Sequence, residues 1–162
     1  MIIHVKNKNT LIVDDFKFKC CVGKNGLKDN KKEGDFSTPK GVFELKKFYF
    51  RKDRINPPKC KLTGSIIKQN MAWCDDPSHK KYNTEIKIYS RSSKEKLYRV
   101  DHKYDYIIVF NHNHKKVPGK GSAIFIHLTD NYKPTAGCIA LKEKDFGILL
   151  KLIDKKTKIK IG

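Results

Sequence analysis

Long apolar runs are missing from these 162 residues, and with them any stretch near the roughly 20 residues a membrane-spanning helix needs. Met1 is followed by IIHVKNKNTLIVDD, which has neither a basic n-region nor an apolar h-region, so no signal peptide is read there. On that reading the chain is expected in the cytoplasm, or in the periplasm if it is a trimmed piece. C-x-x-C pairs are also missing. The five cysteines are an odd number, which fits reduced thiols better than a disulfide framework. Acidic residues are scarce, 17 against 36 basic, and the formal charge of +19 favours anionic partners such as nucleic acid, a lipid surface or an acidic polymer. Arginines are few, however, and the lysines are dispersed and often alternate with apolar residues, as on a solvated surface. The basic stretch Lys6 to Lys32 has Phe16 and Phe18 as its aromatics and no extended aromatic interleaving of the kind that stacks bases, so nucleic acid is not the expected partner.

Metal and phosphate motifs are equally thin. In NHNHKK (111–116) two histidines at i,i+2 share a strand face, but no third ligand is evident nearby, and Asp75, Asp76 and His79 make a weaker set. Cys20 and Cys21 are adjacent and face opposite sides of a strand, which argues against a zinc site shared with Cys60 and Cys74. PGKGSA lacks the Gly-x-x-x-x-Gly-Lys-Ser/Thr order and precedes a strand where a helix is required. No metal and no cofactor are expected.

What is present reads as β structure. KFKCCV alternates with period two until Cys21, and IIHVK and TLIV are weaker versions of the same pattern. Residues 23–41 are rich in Gly, Lys and Asp and read as a long loop, after which VFELKKFYF (42–50) returns to β-prone residues. The Arg51 to Lys61 stretch is irregular, and residues 70–83 do not suggest a regular element. EIKIYS (85–90) alternates as an exposed strand, YDYIIVF (104–110) reads as a buried one, and TKIKI (157–161) closes the chain. A 3–4 periodicity of Phe146, Leu149, Leu150 and Ile153 predicts a helix over Glu143 to Ile153, and a weaker helix is predicted around Ser65 to Asn70. No linker or repeat divides the chain. The expectation is one mainly β domain, residues 1–162, long enough to bury a single core, with one late helix.

The stretch GSAIFIHLTDNYKPTAGCIAL (121–141) carries the chemistry. AIFI reads as a buried strand ending near His127, DNYKP as a turn, and Gly137-Cys138 opens a second apolar run. A cysteine attacks a carbonyl when a base takes its proton and donors receive the oxyanion. Glycine before it permits a close approach and a turn that strains other residues. His127 lies eleven residues upstream and reaches the thiol only if the intervening loop folds back. Spacing alone leaves open an inert buried cysteine beside a satisfied core histidine.

This stretch resembles the signature of the L,D-transpeptidase catalytic domain, a family of cysteine enzymes acting on peptidoglycan stem peptides. The usual pattern is a His-Gly pair followed by Ser-His-Gly-Cys, a β-branched residue and Arg. Here it runs IFIHL then PTAGCIAL, similar to a bacterial branch with an altered motif. EGDFSTPKGVFEL (33–45), WCDDP with YN (73–77 and 82–83), YRVDHKYDYIIVFNHN (98–113) and GSAIFIH extend the resemblance over nearly the whole chain. It implies a mixed β-sandwich or barrel-like fold, with Cys138 as nucleophile, His127 as base and later acid, and the Gly137 and Cys138 amides as oxyanion donors. A backbone carbonyl is implied as the group orienting His127. Asp76, Tyr82, Asn83, Arg99 and Thr135 become candidates for the substrate cleft, and Trp73 a packing residue or cleft wall.

Four positions depart from the signature: Leu128 stands for Gly, Thr135-Ala136 for Ser-His, and Ala140 for Arg. Arg99 and Lys142 are the basic residues considered for the missing charge. The resemblance implies attack on the bond between the L-centre of the third stem residue and D-alanine. Water as acceptor gives an L,D-carboxypeptidase and an amine gives an L,D-transpeptidase. The expected partner is a peptidoglycan stem peptide or free muropeptide, bound by a monomer. The competing reading is a basic module that binds cell-wall polymer or nucleic acid without catalysis.

Overall fold

The computed structural model describes residues 1–88 and 94–162. In chain order its strands are β1 (Ile2–Lys6), β2 (Thr10–Val13), β3 (Phe16–Cys21), β4 (Leu27–Lys28), β5 (Thr38–Pro39), β6 (Gly41–Phe50) and β7 (Gly64–Ile66). They continue with β8 (Met71–Cys74), β9 (Glu85–Lys87), β10 (Lys94–Lys96), β11 (Tyr106–Phe110), β12 (Phe125–Leu128), β13 (Ile139–Leu141) and β14 (Lys158–Ile161). The helix α1 (Glu143–Leu152) lies between β13 and β14.

Strand order is β11-β12-β13-β3-β2-β1-β14-β6, and β6 pairs back onto β11. These eight strands close into a barrel-like sheet, with β7 added in parallel along β6. Closure removes the long unpaired edges that an open sheet of this size would expose. The fold is mainly β with one late helix, as the strand patterns and the single strong 3–4 periodicity predict. α1 needs no side-chain cap: Glu143 and Asp145 in its first turn and Lys151 in its last oppose the helix dipole, and Phe146, Leu149 and Leu150 are buried. Each of those side chains stabilises the fold by about 1.5–3 kcal/mol on burial.

Alternation within strands sorts side chains into two cores, and the sorting positions the site. Tyr106, Ile108 and Phe110 of β11, Ile126 and Leu128 of β12, and Ile139 and Leu141 of β13 join α1 in the larger core. The opposite positions, Ile107 and Val109 of β11, Phe125 of β12 and Cys138 just before β13, belong to a second cluster with Trp73, Met71, Leu97 and Tyr104. That cluster is covered by the three-stranded sheet β10-β8-β9. Successive residues of a strand point to opposite faces, so His127 shares the Phe125 and Cys138 face. β12 and β13 are parallel, with Ile126 opposite Ile139 and His127 opposite Ala140. The loop between them folds back, as the histidine–cysteine pairing requires.

Four local readings need correction. The segment predicted as a weak helix around Ser65 to Asn70 instead starts in β7, because Gly64–Ile66 pairs with Phe48–Phe50 of β6. Residues 70–83 do contain a regular element, β8. Its four residues are all buried at the centre of the three-stranded sheet, so it shows no alternation. The 23–41 loop carries the two short paired segments β4 and β5. NHNHKK (111–116), read as a polar strand end, is a turn that follows β11. Of EIKIYS (85–90), β9 accounts for Glu85–Lys87, and Tyr89 and Ser90 lie outside the described residues.

Candidate active site

Cys138 sits on a turn clamped from three sides. Thr135 Oγ1 donates to the Cys138 carbonyl (2.6 Å) and accepts from the Gly137 N–H (3.1 Å). Thr38 Oγ1 donates to the Gly137 carbonyl (2.8 Å) and accepts from the Gly23 N–H (2.8 Å). The Thr135 N–H donates to the Val22 carbonyl and the Lys24 N–H to the Thr135 carbonyl, both at 2.9 Å. Gly137 has φ +146°, and a Cβ there would stand 2.8 Å from the Ser37 carbonyl oxygen. Gly137→Ala is therefore expected to cost about 2 kcal/mol or more through strain and backbone clash. In a chain of this size that lowers the Tm by roughly 4–8 °C, measurable by calorimetry.

The thiol is buried, accepting from the Phe125 N–H (3.3 Å) and donating to the Ala123 carbonyl (3.2 Å). Burial pushes its pKa up to about 12. His127 is buried beside it on the same face, with Nδ1 2.8 Å from the Leu128 carbonyl oxygen. A carbonyl only accepts, so Nδ1 carries the proton and Nε2 keeps the lone pair. Burial lowers the imidazole pKa to about 4, with a smaller opposing contribution from the Leu128 hydrogen bond. Tyr104 meets the ring edge-on at 5.2 Å between centroids. Burial thus disfavours the charged form of both groups.

Two cavities meet at this point and share Tyr104, His127, Thr135 and Ala136 in their walls. The first, about 230 Å³, contains Cys138, Phe36, Glu33, Asp75 and Glu95. The second, about 210 Å³, contains Ala140, Arg99, Lys103, Lys133 and Asp130. The structure thus brings together Cys138, His127, Gly137, Thr135 and Arg99. Arg99 enters beside Ala140, while Lys142 lies over the Tyr132 ring and lines neither cavity. Arg99 holds Asp101 with two bonds (2.9 and 2.7 Å) and reaches Glu95 at 3.3 Å.

Three of the cleft candidates stand elsewhere. Asp76 caps a turn by accepting from the Ser78 N–H and hydroxyl, and its neighbour Asp75 lines the thiol cavity instead. Tyr82 is buried behind the cleft, donating to Glu33 and accepting from the Gly121 N–H (3.1 Å). Asn83 joins the Trp73 indole N–H (2.9 Å) to the Ala123 N–H (3.2 Å) and lines a separate cavity with Trp73 and Phe125. Trp73 packs its ring edge-on against Phe125. Tyr82 and Asn83 thereby hold the 121–124 segment that carries the thiol's acceptor, Ala123. Tyr104, Lys103 and Phe36 are site groups that sequence reasoning missed, and the backbone carbonyl expected to orient His127 is that of Leu128. A lone aromatic within the polar GDFSTPK loop was the available signal for Phe36.

The model of the YkuD family, described as the L,D-transpeptidase catalytic domain, matches residues 1–161. The chain belongs to the L,D-transpeptidase catalytic domain family. No curated protein and no solved structure matches it. Membership supports a cysteine-dependent activity on peptidoglycan in general. In this L,D-transpeptidase domain the altered signature positions have visible local consequences. Thr135 clamps the Gly137–Cys138 turn, and Ala136 lines both cavities where they meet. Ala140 is small enough for Arg99 to share its cavity. Among the described residues, no group of three His, Cys, Asp or Glu is arranged to hold a metal ion, and no helix is long and apolar enough to cross a membrane.

Proposed function

We propose that this L,D-transpeptidase-family protein cleaves the bond between the L-centre of the third stem residue and D-alanine by cysteine acyl transfer. What supports the reading is the Cys138 thiol and the His127 imidazole on one cavity, the latter's Nδ1 tied to the Leu128 carbonyl so that Nε2 is the base. As sulfur attacks the carbonyl carbon, the thiol proton passes to Nε2. This spares the buried site a standing ion pair. The Gly137 N–H is already engaged by Thr135 Oγ1, which makes the Cys138 N–H the first donor to the oxyanion and the Gly137 N–H a shared one. The C–N bond then breaks, the imidazolium returns its proton to the departing amine, and a thioester remains on Cys138. Water releases a tripeptide, whereas an amine forms a new amide.

The experiment is incubation of the purified protein with a tetrapeptide stem, with and without an amine acceptor, followed by mass spectrometry. D-Alanine is expected as the first product in both. Tripeptide alone identifies the carboxypeptidase, and a crosslinked or exchanged product the transpeptidase. No release in either condition would sink the proposal.

A further inference from the structure

The two cavities differ in character, and the difference has a direction. In the thiol cavity Phe36 is half exposed with φ +54°, a conformation bulky L-residues rarely adopt. The neighbouring residues impose it. Asp35 accepts from Lys31 Nζ (2.6 Å), the Lys32 N–H (2.9 Å) and the Ser37 N–H (2.9 Å), and the Phe36 carbonyl accepts from the Asn25 N–H (2.9 Å). The Lys31–Asp35 pair is buried, so the lysine of this cavity is already neutralised. An apolar ring is thus held open to solvent beside the nucleophile, where hydrophobic collapse alone would not put it.

Across His127 the other cavity is lined by three cations, Arg99, Lys103 and Lys133, and one carboxylate, Asp130. Arg99 is held by Asp101 and Glu95, and Lys133 by Asp130 at 3.2 Å. Among the described residues lining it, Lys103 is the cation that forms no salt bridge, its nearest carboxylate in effect, Asp101, being held by Arg99.

Chemistry connects the two. If His127 protonates the leaving amine, the leaving residue must pass over the imidazole, and the acyl residue must remain on Cys138. The leaving residue of a tetrapeptide stem carries a free carboxylate one carbon from that amine. We infer that the substrate lies in one direction across His127: the terminal carboxylate on Lys103 in the cationic cavity, and the aliphatic side chain of the third stem residue against Phe36. The inference rests on the stem-peptide reading above and adds to it two specificity-determining residues.

The test crosses two variants with three substrates, reading kcat/KM for release of the C-terminal residue by mass spectrometry. The substrates are a tetrapeptide with a long-chain diamino acid at position three, its C-terminal D-alaninamide analogue, and an analogue with L-alanine at position three. For Lys103→Met, kcat/KM is expected to fall about tenfold on the two carboxylate substrates and to stay level on the amide, which wild type already uses about tenfold less well. For Phe36→Ala, a fall of about tenfold is expected on the two long-chain substrates and none on the L-alanine analogue. Phe36→Gly removes the same ring while accommodating the positive φ, so it reproduces the pattern even if the alanine variant folds poorly. Equal losses on all three substrates, or a wild type indifferent to the amide, overturn the orientation. A wild type that releases nothing from any substrate removes the stem-peptide reading, and the orientation with it.

Discussion

Cys138→Ala is expected to abolish D-alanine release and the thioester intermediate, a loss of about 10⁶-fold on the scale set by removing other catalytic nucleophiles. No other thiol is positioned to compensate. Cys138 is the cysteine that lines the cavity shared with His127. Cys21 donates to the Lys133 carbonyl at 3.2 Å and Cys20 is packed in the larger core, and burial raises the pKa of both. The fold should tolerate the change. Alanine loses a weak acceptor for the Phe125 N–H and a weak donor to the Ala123 carbonyl, a cost on the order of 1–2 kcal/mol, while the Thr135 and Thr38 clamps act on backbone and persist. Intact-protein mass spectrometry during turnover should show an acyl adduct on wild type and none on the variant, with nearly unchanged melting. Continued D-alanine release by a folded Cys138→Ala protein would refute the nucleophile assignment.

The parts legible in the sequence were those with a local signature. Period-two alternation marked β1, β2 and β3, and α1 was marked by Phe146, Leu149 and Leu150 at helical spacing. β8 was hidden because MAWC is covered on both faces, and a strand buried on both sides has no alternation to read. Barrel closure through β6 and β11 joins segments far apart in the chain, and no local pattern encodes it. The same division runs through the site. The glycine before the cysteine was readable, and its φ of +146° supplies the physical reason for it. The resemblance implied a backbone carbonyl as the group orienting His127, but not that it is Leu128's, since any residue would provide one. Nor was the choice between Asp75 and Asp76 readable: it depends on how one turn points two adjacent side chains. The parallel register that puts His127 opposite Ala140 is what turns an eleven-residue spacing into one shared face.

His127→Gln is expected to lower kcat about 10²–10⁴-fold, the range for losing a positioned general base. The pH profiles should separate that chemistry from simple damage. With the imidazole pKa at about 4 and the thiol pKa at about 12, wild-type kcat/KM should fall on the acid side only near pH 4 and stay flat through neutrality. A reaction needing a preformed thiolate would instead rise about tenfold per pH unit through the same range, and that slope would exclude His127 as the base in the attack step. Stability gives a second reading of the same residue. The folded-state pKa lies below the ordinary 6.5, so as pH falls the unfolded chain takes the proton first. The stabilisation is therefore present above pH 6.5 and is lost as pH falls toward 4, in total about 3 kcal/mol. Glutamine cannot titrate, so the stability difference between wild type and His127→Gln should change across that window and level off below it. Denaturant melts at half-unit pH steps would measure it. A constant difference would mean that the imidazole titrates alike in both states, and that it is not held neutral by burial in the folded site.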